Sequence, residues 1–281
     1  MRTTVPVLFL TAGACLGQDS GVSRPSTPPE LTGPYTLWNP KPREAWRELS
    51  ADRPDATESP YPVDPGAVQI ELSFIEYAYE GEDGADTHTL SFAPINLKLG
   101  LSERIDLQLL FNPYERIETN AGADADGLGS LGLRSKISLW GLDGGPSAGA
   151  LLPYVVFPTG DDDVSASRVE WGLVVPVALA LPGGWDLGLQ GEIAFTHDGS
   201  GYDTILAHTA VLGRDIVGDQ GGYLEYIGEA NLDSGDYSPS LSAGMTYAVN
   251  ADTQLDFGIV VGLDNPRTDD VRLFSGITLR F

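Results

Sequence analysis

Four things are scarce in this chain. Cys15 is the single cysteine among 281 residues, so neither an intrachain disulfide nor a multi-cysteine metal site can form. No run of eighteen apolar residues follows the N-terminus, which excludes a membrane-spanning helix. Basic residues number 16 against 40 acids, a formal net charge of −24. No basic patch could offset phosphates, so nucleic acid is excluded as a partner. The 3 histidines, His88, His197 and His208, are scattered and make no zinc site. His197 with Ser200, or His88 with a nearby hydroxyl, could be paired as in an outer-membrane lipid hydrolase, but no motif supports catalysis.

Alternation is what the chain has. In the terminal strand Val271, Leu273, Ile277, Leu279 and Phe281 are apolar, whereas Arg272, Thr278 and Arg280 are polar. Such a strand running into an aromatic end fits the last strand of an outer-membrane β-barrel, with one face toward lipid and the other toward a polar lumen. The same period of two recurs from Val68 onward. It predicts about twelve strands in one antiparallel transmembrane β-barrel, an all-β fold. Phase breaks in the first two strands, one of them at Pro94, predict β-bulges. Pro176 falls inside another strand and calls for a loosened ladder. A mean hydropathy near zero is what such alternation produces.

Connections alternate too. Short ones are expected at 100–103, 141–146, 182–184 and 250–253, and longer ones at 80–87, 115–127, 158–166, 197–203, 231–239 and 264–269. The connection at 214–221 is long on the short side. Twelve is even, so both ends of the barrel lie on the short-turn, periplasmic side, and the acidic long loops face outward. Trp140, Trp185, Tyr247 and Phe281 would form one aromatic belt, and Tyr79, Phe111, Tyr114, Phe157 and Phe195 the other.

The N-terminal quarter differs. Met1-Arg2, the apolar run from Val5 to Leu10 and Ala12-Gly13-Ala14 make a compact secretory signal, assigned to residues 1–17. The site at Cys15 also half resembles a lipobox, with Ala12 where leucine is usual. Ten of the 20 prolines fall between residues 16 and 65, too many for regular sheet or long helix. Residues 18–65 therefore read as a periplasmic segment or a plug, with one short helix from Pro42 through Leu49, and residues 66–281 as the barrel.

If the apolar parity faces lipid, the other parity lines the lumen. It carries the pore-lining candidates Glu71, Lys98, Asp106, Gln108, Arg134, Lys136, Glu170, Glu192, Asp256 and Arg272, with Asn96, Asp186, Gln190, Glu225, Glu229 and Arg280 beside them. Interior charges need partners, and Lys98, Arg134 and Lys136 flank Asp106 as a ladder across three strands. That ladder could hold the barrel shut or orient a solute. Twelve strands fall between a filled core and an open channel. Asp161, Asp162 and Asp163 are weak calcium candidates that lack the spacing and glycine of a calcium loop. No cofactor motif is present: Gly127-x-Gly129 enters a strand, not a helix.

One stretch is more specific. Asp52-Arg53-Pro54-Asp55-Ala56-Thr57-Glu58-Ser59-Pro60, then Pro65-Gly66 and Val68-Gln69-Ile70-Glu71, resembles the entry motif of the MetA-pathway of phenol degradation family. Further similarity lies in Leu151–Gly160, Trp171–Pro176 and Leu181–Trp185, and the whole spans about residue 50 to 281. The resemblance implies an outer-membrane barrel that passes small, often hydrophobic or aromatic, solutes. Its expected partners are outer-membrane lipids, the barrel assembly machinery through the strand ending at Phe281, and the solute. Within the motif, Arg53 could pair Asp52, Asp55 or Glu58 and pin the segment as a hatch, or the motif could simply guide the chain into the first strand. A non-conducting anchor barrel is the alternative function.

Overall fold

The computed structural model describes residues 34–82, 84–263 and 270–281. The signal segment, Cys15 and the loop 264–269 lie outside the described residues. Period-two sequence becomes strand throughout: β1 (Val68–Glu82), β2 (Ala85–Phe92), β3 (Ile95–Ser102), β4 (Ile105–Phe111), β5 (Tyr114–Thr119), β6 (Ala125–Gly127), β7 (Leu131–Trp140), β8 (Ser147–Phe157), β9 (Glu170–Leu181), β10 (Trp185–His197), β11 (Tyr202–Val217), β12 (Gln220–Asn231), β13 (Tyr237–Asn250), β14 (Thr253–Gly262) and β15 (Val271–Arg280).

These pieces make a closed barrel of twelve antiparallel staves, because β1 pairs with β15 through Gln69↔Arg280 to Tyr79↔Val271. Three staves are interrupted. β2 continues into β3 across Ala93-Pro94, where Ala93 takes a φ of 57°. β4 continues into β5 across Asn112-Pro113, and β6 into β7 across 128–130. The predicted bulges are present: β1 shifts register between Ser73 and Ile75, and its lower half pairs with β3 while its upper half pairs with β2. Opposite Pro176 the β8–β9 pairing lapses between Leu152↔Val174 and Gly149↔Val177, so its missing N–H falls where the ladder on that side is already open.

Four expectations are corrected. The connection at 80–87 is not long, because β1 runs to Glu82 and β2 starts at Ala85, with Glu80 paired to Thr87. Residues 115–127 are not a loop, since most of them form the β5–β6 hairpin, which pairs Glu115 with Gly127 and Ile117 with Ala125. The connection at 214–221 is not long: β11 runs to Val217 and β12 starts at Gln220, leaving a turn in which Gly218 takes the left-handed φ of 57°. The helix from Pro42 to Leu49 shrinks to one 3-10 turn, Arg43–Ala45, and Trp46 is already extended.

Outward side chains are apolar and exposed, among them Leu97, Leu107, Leu133, Val175, Leu189, Leu212, Leu241 and Phe257. A belt of this extent on a soluble protein would be a sticky patch. On a barrel it is the lipid-facing band. Inward side chains are polar or small and largely buried. They are buried because residues 51–60, every one of them, lie inside the barrel. Residues 34–50 cross the short-turn rim: Thr36 bridges to Ser102, Arg43 pairs with Asp252 at 2.6 Å, and the Arg280 guanidinium lies 5.1 Å from the Trp46 ring centre. Two glycines let the segment pass. A Cβ at Gly100 would meet the Asp64 carbonyl oxygen at 2.0 Å, and one at Gly276 would meet Arg53 Nη2 at 2.5 Å.

Candidate functional site

Residues 51–64 and the wall around them form one buried polar assembly. The Asp52 carboxylate receives Lys98 Nζ from β3 and, at 2.5 Å, Lys136 Nζ from β7, with Arg134 at 3.7 Å. Lys98 also donates to Glu71 of β1 at 2.5 Å, and Arg134 Nη1 donates to Glu58 at 2.5 Å. Asp52, Glu58, Glu71, Lys98, Arg134 and Lys136 thus gather three acids and three bases, each at most 4% exposed. That balance is what makes burial of six charged groups tolerable.

Arg53 points the other way. Its Nε and Nη2 donate to the two carboxylate oxygens of Asp256 on β14, at 3.1 and 2.8 Å, a bidentate fork. Its Nη1 donates to Ser73 Oγ and lies 3.7 Å from Glu76. The expectation that Arg53 pairs within its own motif is therefore corrected: its ion pairs with Asp256 and Glu76 are with the wall.

Hydrogen bonds complete the seat. Asp106 Oδ2 accepts the Val63 N–H at 3.0 Å and its Oδ1 accepts Gln108 Nε2 at 2.9 Å. The expected ladder on Asp106 is thus replaced: it holds the segment's backbone, whereas Lys98, Arg134 and Lys136 reach the segment's carboxylates. Glu225 accepts the Ala56 N–H at 2.8 Å and the Thr57 hydroxyl at 2.7 Å, and Gln190 Oε1 accepts the Glu58 N–H at 2.7 Å. Nearer the rim, Asp64 takes Lys41 and Arg47, each at 3.0 Å.

Electrostatics differ between the two motif acids. Burial alone would raise the Asp52 pKa, but Lys136, Lys98 and Arg134 outweigh it and hold the carboxyl well below its usual range. Glu58 has fewer cations close by. There burial dominates, Arg134 only partly opposes it, the Asp52 charge adds to it, and the pKa rises from 4.5 to about 7.

The other lumen candidates sit farther toward the long-loop end. Glu192 accepts the Tyr154 hydroxyl at 2.6 Å and Glu170 accepts the His197 N–H at 2.9 Å. Arg272 is half-buried. Beside Tyr154 the inner wall turns apolar, with Ala150, Leu152 and Val174 packed together.

The Asp161 carboxylate accepts the Leu128 N–H at 2.7 Å, while Asp162 and Asp163 are exposed. Among the described residues no group of three His, Cys, Asp or Glu side chains is placed to hold a metal. His197 Nδ1 meets Ser167 Oγ at 3.0 Å and the Gly199 N–H at 3.0 Å, whereas Ser200 donates to Asp198. The proposed His197–Ser200 pair is therefore not formed. His88 bonds the Tyr77 hydroxyl at 2.8 Å, and His208 meets that of Tyr237 at 3.3 Å.

Several seat residues were not singled out from sequence. Ser73, Thr209 and Gln254 share the inward parity, so alternation could have found them; Asp64 lies outside any strand and carried no signal.

A closed twelve-stave barrel with an apolar outside, and an ion-paired strap through its lumen, defines a membrane-spanning β-barrel protein. The chain belongs to the family described as "Putative MetA-pathway of phenol degradation", whose match covers residues 51–281. No curated protein matches it. Among solved structures it is similar to the COG4313 outer membrane channel from Pseudomonas putida F1, with a TM-score of 0.63 and 15% identity over 79% of this chain and 98% of that one. It also overlaps the β domain of the Bordetella autotransporter BrkA (TM-score 0.49, 14% identity, 76% of this chain and 98% of that one) and the NanC porin (0.47, 10%, 76% and 98%).

Proposed function

We propose that this protein is an outer-membrane channel for small solutes in which residues 51–64 act as a plug. The observation that carries the reading is the seat of the entry motif. Asp52, Arg53 and Glu58 are held by Lys98, Lys136, Asp256 and Arg134 inside a closed barrel whose outer face is apolar. A segment that only guided the chain into β1 would need no such set of buried ion pairs, which are costly to assemble. Export through a signal at residues 1–17 and assembly through the strand ending at Phe281 belong to the same reading. The similar Pseudomonas barrel is an outer membrane channel by its title, and the family's description points to aromatic compounds as solutes. The protein carries no catalytic role in this reading.

The test is conductance. Purified protein in planar bilayers is expected to give discrete, small steps. Protein that shows heat-modifiable folding yet stays silent would overturn the channel. One observation favours a second reading, a non-conducting anchor barrel: all ten residues 51–60 are buried, so the lumen is filled at their level. That silent outcome is the one the anchor barrel requires.

A further inference from the structure

Residues 51–64 are not held equally on all sides. Toward β1, β3, β7 and β14 the contacts are ion pairs from Asp52, Arg53 and Glu58. Toward β10, β11 and β12 the contacts are hydrogen bonds. There the segment closes against a ring of hydrogen bonds at one level. The Glu58 N–H meets Gln190, the Thr57 hydroxyl meets Thr209 at 2.5 Å, and Ala56 and Thr57 meet Glu225.

On the rim side of that ring the wall includes the glycines Gly188, Gly213 and Gly222. Gly188, Val211 and Gly213 face Pro54, Asp55 and Thr57 across a cavity of about 20 Å³, room for about one water. That cavity shares Ala178 and Asp186 with a second one of about 350 Å³, set between Tyr61–Val63 and the Gly144–Pro146 turn. Asp186, Asp215 and Arg214 border the smaller cavity, two acids against one base. The neighbouring Arg214 guanidinium lies 4.8 Å from the Trp185 ring centre. In the larger cavity Arg47 is paired with Asp64 and Arg280 with Asp252, and the two cavities run from the short-turn rim up to the ring past Asp186 and Asp215, which outnumber Arg214.

Hydrogen bonds exchange for water at small net cost. Separating Asp52 from Lys98 and Lys136 would strand buried charges instead. We propose that solutes pass the plug on its β10–β12 side, opening the ring at Gln190, Thr209 and Glu225, and that Asp186 and Asp215 make this route prefer cations. The proposal rests on the channel reading and names its path and its charge selection.

Single-channel recording on the full chain tests it. Gly213→Cys is introduced in a Cys15→Ser background; a Cβ at Gly213 meets nothing nearer than the Gly222 carbonyl oxygen at 3.8 Å. A cationic methanethiosulfonate is expected to cut the conductance by at least half, and to react about tenfold faster than an anionic one. Ser138→Cys, inward on β7 beside the ion-paired side, is expected to leave conductance unchanged. Asp186→Asn is expected to lower the potassium-to-chloride permeability ratio at least twofold. Steps that persist in modified G213C protein but vanish in modified S138C protein would overturn the route while leaving the channel standing. Should G213C not fold, an unchanged ratio in D186N overturns it alone. Silence in the unmodified protein would remove the channel reading itself.

Discussion

Replacing Asp52 by asparagine should unseat the plug. The side chain keeps its shape and can still accept the Ser59 N–H, which Asp52 Oδ1 receives at 3.1 Å. What it loses is the charge facing Lys98, Lys136 and Arg134. Three bases would then face only Glu58 and Glu71. Removing one partner of a buried ion pair costs about 3–5 kcal/mol. At about 1.4 kcal/mol per decade, the unseated fraction should rise roughly 100- to 5,000-fold. The barrel ladder is untouched, so heat-modifiable migration should match the wild type. In planar bilayers the D52N protein should open far more often, or stay open. Adding Lys136→Met restores the charge balance and should bring back part of the closed population. A D52N protein whose open probability equals the wild type would refute the view that these ion pairs hold the segment.

Other outcomes follow from the same geometry. Arg53→Ala leaves Asp256 without its bidentate partner and should raise open probability, and adding Asp256→Asn should undo part of that rise; a double-mutant cycle with coupling below about 0.5 kcal/mol would contradict the fork. Glu58 gives the seat a pH dependence. Its pKa is raised in the seated state, so its contribution is complete below 4.5 and is lost as pH rises through about 7. Openings should therefore increase from pH 5 to pH 8, and Glu58→Gln should flatten that rise. Deleting Phe281 removes its reciprocal backbone bonds with Val68, at 2.8 and 3.0 Å, where β15 closes on β1. Yield of assembled barrel in outer-membrane fractions should fall, and wild-type yield would contradict a role for this end in closure.

The barrel was legible because a period of two leaves a mark on every stave that has lipid on one side and the lumen on the other. Lys98, Arg134 and Lys136 could be placed inward from Leu97, Leu133 and Ile137 alone. Their partners could not. Asp52 reaches Lys136, 84 residues away, across the lumen, and nothing in a local pattern encodes that distance. Arg53 was assigned to acids within its own motif because those are its chain neighbours. In the folded chain Gly276 clears the space through which it reaches Asp256. Residues 115–127 read as a loop because neither face of the β5–β6 hairpin carries an apolar stripe. Glu118 and Asp126 are exposed there, so the alternation that marks lipid-facing strands has no reason to appear. The turn at Gly218 was missed for a similar reason: Arg214, Asp215 and Asp219 look like loop, yet β11 continues as strand to Val217.

The most direct measurement compares single-channel conductance of the full chain with that of a chain lacking residues 34–64. The strand pairing that closes the barrel begins at Gln69↔Arg280 and does not include the deleted residues. The deleted form is expected to show larger and longer openings than the full chain. Identical conductance in both forms, with both barrels intact, would contradict a plug in the lumen.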